Sequence, residues 1–184
     1  MKKINFSIVL LISFMMLNAC AQSKKEATLT QKTVVNKNAI SKSNNPYYSN
    51  TDTTKLNVSD AEWKKVLSDD VYAVSREADT ERPFTGKYWN ADDKGTYYCA
   101  ACGYKLFRSD QKFSSSCGWP SFFEQENKKS VVFKTDSSLG MERTEALCGR
   151  CGGHLGHLFD DGPAPTNKRY CMNSIAMDFI ADRK

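Results

Sequence analysis

The chain has 184 residues, 40% hydrophobic and 26% charged, with seven cysteines and a formal net charge of +5. From Ser59 to Lys184 there are 18 Lys plus Arg against 19 Asp plus Glu, a net of −1, so the basic surplus lies in the first 58 residues. That distribution leaves no evident phosphate-binding footprint on the folded part, and no nucleic-acid partner is expected.

The N-terminus carries Lys2 and Lys3, the apolar stretch "FSIVLLISFMML", and then "LNAC" ending at Cys20. The apolar stretch is shorter than the ~20 residues a helix needs to cross a bilayer, so it reads as a cleaved export signal. Leu17, Asn18, Ala19 and Cys20 resemble the bacterial lipobox, whose cysteine is lipidated and becomes the new N-terminus. An ordinary cleaved signal with an accidental cysteine is the alternative. The expectation is a signal peptide over 1–19, a lipid on Cys20, and a protein held on a membrane of the bacterial cell envelope. Residues 20–58, rich in Lys, Asn, Ser and Thr, read as a flexible solvated tether in which only "PYYS" offers aromatics able to pack. Residues 59–184 suffice for one domain with its own core.

Within that domain "SDAEWKKVLSDDVYAVSR" opens with Ser59 or Asp60 as a cap, Glu62 in the first turn, and Trp63, Val66 and Leu67 on one face, which predicts one short helix. Short strand-like segments follow: "TYYCA", "KLFRS", "KFSSS", "SVVFKT", "TEALC" and "RYCMNSIAMDFI", punctuated by glycine, asparagine and aspartate. Such a pattern predicts a mainly antiparallel β domain. If the last segment is one strand, period 2 puts Arg169, Cys171, Asn173, Ile175, Met177 and Phe179 on one face.

"CAACG" and "CGRCGG" each offer two thiolates on a tight turn with glycine after the second cysteine. Two such turns, 45 residues apart, predict a tetrahedral zinc site formed by Cys99, Cys102, Cys148 and Cys151. Four thiolates leave no open position, so its role is structural. Disulfides or a thioredoxin-like redox pair are the rival reading. Setting Cys20 and the four ligands aside leaves Cys117 and Cys171. Arg169, on the face of Cys171, favours its thiolate; a small buried strand cysteine is the plainer alternative. His154 and His157 are the only histidines, and imidazole suits proton delivery near neutrality. They could equally be ordinary turn residues, and Trp119 could be core or a rigid wall.

Taken together, "PFTGKYW", "CAACGYKLF", "SSCGWPSF", "GMERTEALCGRCGGHLGHLFDDGP" and "RYCMNS" resemble the B-type methionine-R-sulfoxide reductases, over a span from about Ser59 almost to the C-terminus. The resemblance implies two antiparallel sheets in a β-tent with a structural zinc at one end. It assigns Cys171 as nucleophile and Cys117 as resolving cysteine. It sets His157, with His154 and Asn173, at the sulfoxide oxygen and its proton, Arg169 at thiolate activation, and Trp119 at the substrate methyl. It implies oxidised proteins as substrates, a thioredoxin-like reductant, and a monomer. The rival classes are a zinc-stabilised binding module, which needs only the four knuckle cysteines, and a disulfide-exchange protein, which needs no sulfoxide.

Overall fold

The computed structural model describes residues 44–183, the side chain of Leu139 excepted. The expected export signal, Cys20 and the expected tether as far as residue 43 lie outside the described residues. Among the described residues two helices come first, α1 (Asp60–Val66) and α2 (Asp69–Glu77), where the sequence suggested one. The Ser59 side chain caps α1 by accepting from Glu62 N–H, and Leu67 and Ser68 adopt extended backbone before a second start. Serine followed by two aspartates is itself a start signal, which is why the run divides there. Trp63 is buried at 1% exposure and anchors α1 to the core.

Nine strands follow: β1 (Gly95–Cys99), β2 (Lys105–Arg108), β3 (Lys112–Phe113), β4 (Ser121–Phe122), β5 (Val131–Asp136), β6 (Arg143–Cys148), β7 (His154–Phe159), β8 (Arg169–Met172) and β9 (Met177–Ala181). They form two antiparallel sheets, one ordered β2-β1-β9 and the other β3-β4-β8-β7-β6-β5. The expected mainly β fold of two antiparallel sheets is present. Aromatic side chains from both sheets meet in the core. Phe107 of β2 stacks on Phe122 of β4 with ring centroids 4.3 Å apart, and Tyr97 of β1 meets Phe122 edge-on at 5.0 Å. Full burial of side chains of this size contributes roughly 1.5–3 kcal/mol each.

The single strand expected over "RYCMNSIAMDFI" is two strands in different sheets. The chain leaves β8 after Met172, turns through residues 173–176, and enters β9. Alternation therefore holds only for Arg169 and Cys171, and Asn173 lies beyond the end of its strand. The turn exists because Ser174 and Ile175 give their N–H groups to a buried carboxylate, Glu81, instead of to a neighbouring strand.

Part of the segment expected as a tether is packed on the domain. Residues 45–56 lie against the cysteine turns, tied by backbone bonds such as Ser49 N–H to Cys102 O at 3.0 Å and Leu56 N–H to Arg150 O at 2.9 Å. Arg150, 3% exposed, donates to Tyr47 O at 2.8 Å and Cys102 O at 2.7 Å and pairs with Asp52 at 2.6 Å. Backbone groups of Tyr47, Ser49 and Leu56 and the Asp52 carboxylate supply these contacts, so polar groups hold the segment and leave no apolar period in the sequence.

Candidate active site

Both cysteine turns are hairpin turns, one joining β1 to β2 and the other β6 to β7. They share one hydrogen-bond pattern: Gly103 N–H to Cys99 O and Gly152 N–H to Cys148 O, both at 2.8 Å. Gly103 and Gly152 have φ of 76° and 69°, a conformation that costs glycine little. The four sulfurs lie within 4.8 Å of one another, fully enclosed. The closest pairs cross between the turns, Cys99 to Cys151 at 3.7 Å and Cys102 to Cys148 at 3.6 Å. No S–S bond joins them. A tetrahedron with zinc–sulfur bonds of about 2.3 Å has edges of about 3.8 Å, so this spacing fits a zinc site and is far from a disulfide of about 2.05 Å. Burial pushes the Cys148 thiol up, the cost of enclosing thiolates that a cation would offset.

The second cluster lies on one face of the larger sheet. Residues three apart on a regular strand face opposite sides. Here a β-bulge in β7, between the pairs Leu147–His154 and Ala146–Gly156, adds one residue, so His154 and His157 return to the same face with rings 5.5 Å apart. Gly156 sits at the bulge with φ 157°, and a Cβ there would come within 2.0 Å of Cys171 O, so only glycine lets β7 approach β8 this closely. The register places His157 directly opposite Cys171, and Cys171 opposite Ser121 of β4. Cys117, in the turn before β4, brings its sulfur to 3.5 Å from that of Cys171 and 3.4 Å from Ser121 Oγ.

A pocket of about 120 Å³ opens at Cys171. Trp119, Phe159 and Met172 form its apolar wall; His157, Asn173, Arg143 and Thr80 supply polar groups. Trp119 is fixed by donating Nε1–H to Glu81 O at 3.0 Å. Asn173 is 2% exposed and is held from both ends, accepting from Glu81 N–H at 3.0 Å and donating to Leu155 O at 3.1 Å. His154 is not among the lining residues. It is buried, its Nδ1 is 2.7 Å from Glu145 Oε1, and burial draws its pKa below the ordinary value, which makes it a neutral prop beside His157.

His157 Nε2 lies 2.8 Å from Asp136 Oδ2. Asp136 is held well below the usual carboxylate range by hydrogen bonds from Ser138, then His157, and by the Arg143 guanidinium at 2.7 Å. An ionised carboxylate only accepts, so His157 donates Nε2–H to it.

The two free cysteines titrate as a pair. Burial pushes Cys171 up to about 12, helped by the nearby Cys117, and outweighs Arg169, which pulls the other way. For Cys117 burial also raises the value, but hydrogen bonds involving Ser115, Ser121, Trp119 and Cys171 prevail and bring it to about 7. Arg169 thus acts in the expected direction without deciding the outcome, because its guanidinium is shared. It pairs with Asp161 through Nε and Nη2, each at 2.8 Å, and lies over the Phe159 ring at 4.3 Å. The contact between the two sulfurs at 3.5 Å works in opposite directions on them, lowering Cys117 and raising Cys171.

The sequence reading missed Glu81, Asp136, Arg143, Glu145 and Phe159. Glu81 stands just ahead of "PFTGKYW", and Arg143, Glu145 and Phe159 lie inside the "GMERTEALCGRCGGHLGHLFDDGP" run, but no spacing rule marks a carboxylate that reaches another strand. The SelR domain family matches residues 67–181. A peptide methionine sulfoxide reductase MsrB from Agrobacterium fabrum is 54% identical over 125 residues, covering 68% of this chain and 93% of the relative. Proteins of the same name from Methanosarcina barkeri and Leptospira interrogans are 54% and 53% identical, covering 89% and 95% of their lengths. With the paired sulfurs at the pocket and the four-cysteine clamp at the hairpin turns, these matches mean that the chain belongs to the MsrB family of peptide methionine sulfoxide reductases.

Proposed function

We propose that this enzyme reduces the R epimer of methionine sulfoxide in oxidised proteins, with Cys171 as nucleophile and Cys117 as resolving cysteine. The observation that carries the reading is the pair of free sulfurs 3.5 Å apart, one of them on the pocket wall opposite His157. Sulfoxide sulfur is a poor electrophile until its oxygen is protonated. His157, its Nε2 held by Asp136, delivers that proton from Nδ1, while Trp119 and Phe159 receive the methyl and thioether. Cys171 attacks, methionine departs, and oxygen remains on Cys171 as sulfenic acid. Arg169 favours the microstate with charge on Cys171, and Asn173 and His154 hold the polar end of the site in place. Cys117 then condenses with the sulfenic acid to a disulfide, which a thioredoxin-like dithiol reduces by exchange.

Cys99, Cys102, Cys148 and Cys151 would hold a structural zinc, whose four thiolates leave no position for substrate. The protein is read as a monomer. The defining experiment is reduction of separated sulfoxide epimers in a methionine sulfoxide peptide with excess dithiol. Only the R epimer should be consumed, and equal consumption of both would end the epimer assignment. A disulfide-exchange protein would consume neither.

The proposal extends to the cell envelope through Cys20. Cys20→Ser should strip the acyl chains from the N-terminal region, read by peptide mass, and change the membrane fractionation; unchanged fractionation with no acyl mass on the wild-type protein would rule the anchor out.

A further inference from the structure

Glu81 is 8% exposed and stands outside the pocket wall, although its neighbour Thr80 is part of it. Its carboxylate accepts Ser174 N–H on Oε1 at 2.7 Å and Ile175 N–H on Oε2 at 3.0 Å. Its own N–H donates to Asn173 Oδ1, and its carbonyl accepts from Trp119. Three residues on, Phe84 donates its N–H to Gly118 O at 2.7 Å. Phe84 does so at φ 65°, a costly conformation for a bulky residue that persists only where its surroundings impose it. Residues 81–84 therefore join two segments: 173–175, which begins two residues after Cys171, and 118–119, directly after Cys117. Carboxylate-to-amide bonds are charge-assisted and roughly twice as strong as neutral ones, so this joint is stiff.

We infer that Glu81 is the positioning residue for the second half of the reaction: it sets the separation of Cys117 and Cys171 and so the rate at which they close to a disulfide. The inference rests on the two-cysteine reading given above. In that step the Cys171 S–OH bond breaks and the S–S bond forms. Cys117 loses its proton, and the oxygen leaves as water. The Cys117 sulfur formally loses one electron and the Cys171 sulfur regains one. The sulfurs must close from 3.5 Å to about 2.05 Å. A drift of about 1 Å in either segment is enough to slow such a step on the order of 100-fold. Cys117 forms no bond in the attack on the sulfoxide, and the backbone bonds of Glu81 to Asn173 and Trp119 survive a change confined to the carboxylate.

Two variants perturb that carboxylate independently. Glu81→Gln leaves one oxygen and turns an NH2 group toward a backbone donor. Gly86→Ala keeps Glu81 but brings a Cβ within 2.4 Å of its Oε1 and of Ser174 Oγ and 2.7 Å of Ser174 Cβ, displacing the joint between the carboxylate and Ser174 without altering the chemistry of Glu81. Each is mixed rapidly with one equivalent of a methionine-R-sulfoxide peptide, and released methionine and the oxidation state of Cys171 are followed by mass. Methionine release should stay close to the wild-type rate while disulfide closure slows roughly 10- to 100-fold. Sulfenic acid should accumulate and, with added peroxide, proceed to sulfinic acid. Wild-type closure in both variants overturns the inference, as does equal slowing of both steps, which would mean general damage to the fold. Should Glu81→Gln fail to fold, Gly86→Ala decides alone. If the wild-type enzyme itself forms no Cys117–Cys171 disulfide, it is the two-cysteine reading that fails.

Discussion

Cys171→Ser is expected to abolish even the first turnover, lowering methionine release by roughly four orders of magnitude or more. Serine keeps the strand and nearly the volume, but its hydroxyl is far less ionised and less nucleophilic than a thiol. Cys117→Ser should behave differently. It should release close to one methionine per enzyme, leave sulfenic acid on Cys171, and fail to cycle with a thioredoxin-like donor, which recognises only a disulfide. Small thiols should partly restore turnover by attacking the sulfenic acid directly. The measurement is a rapid-mix single turnover with mass detection of the Cys171 sulfur. Sustained cycling of Cys117→Ser with the protein donor would assign resolution to another cysteine, and the other cysteines of the described chain are the four enclosed in the clamp. A first turnover surviving in Cys171→Ser would move the nucleophile elsewhere.

The other large effect concerns the clamp. Cys148→Ser should leave the domain unfolded, or folded only marginally, with less than one zinc per chain by elemental analysis. Structural zinc contributes apparent binding energies of about 10–16 kcal/mol in small zinc domains, comparable with the whole stability of about 5–15 kcal/mol for a domain of ordinary size. Position adds to this, because Cys99 and Cys102 belong to one sheet's hairpin and Cys148 and Cys151 to the other's. Losing the metal therefore detaches the sheets from each other at that end. Circular dichroism and metal content on the same sample test the expectation. A folded, active, metal-free Cys148→Ser protein would refute the structural role.

What the sequence disclosed and what it concealed divide along physical lines. The CxxC turns were legible because local geometry demands both the cysteine spacing and the following glycine, and the structure brings all four sulfurs together. Cys117 and Cys171 stood out as the two thiols left over, and they lie side by side. Strand β7 was not read as a strand, because "HLGHLF" carries its bulge in mid-run and the bulge breaks the alternation that would announce it. Asp136 escaped notice for a different reason. It is an ordinary strand-end aspartate until antiparallel pairing sets β5 and β6 side by side and its carboxylate meets His157 of β7. Arg150 and residues 45–56 were illegible because backbone carbonyls, which every sequence has, do most of the binding.

The crossover after Cys171 ties the working life of the enzyme to its folding. Cys171 is the third residue of the last strand in the six-stranded sheet, and within six residues the chain is already part of the other sheet. An opening of the smaller sheet would pull on the turn at 173–176 and through it on β8, so the pocket has no reserve of local stability that outlasts its neighbours. Partial unfolding with retained activity is closed to such a design. The protein is therefore expected to work in heat or denaturant only while both sheets hold, with loss of activity and loss of β structure by circular dichroism following one transition.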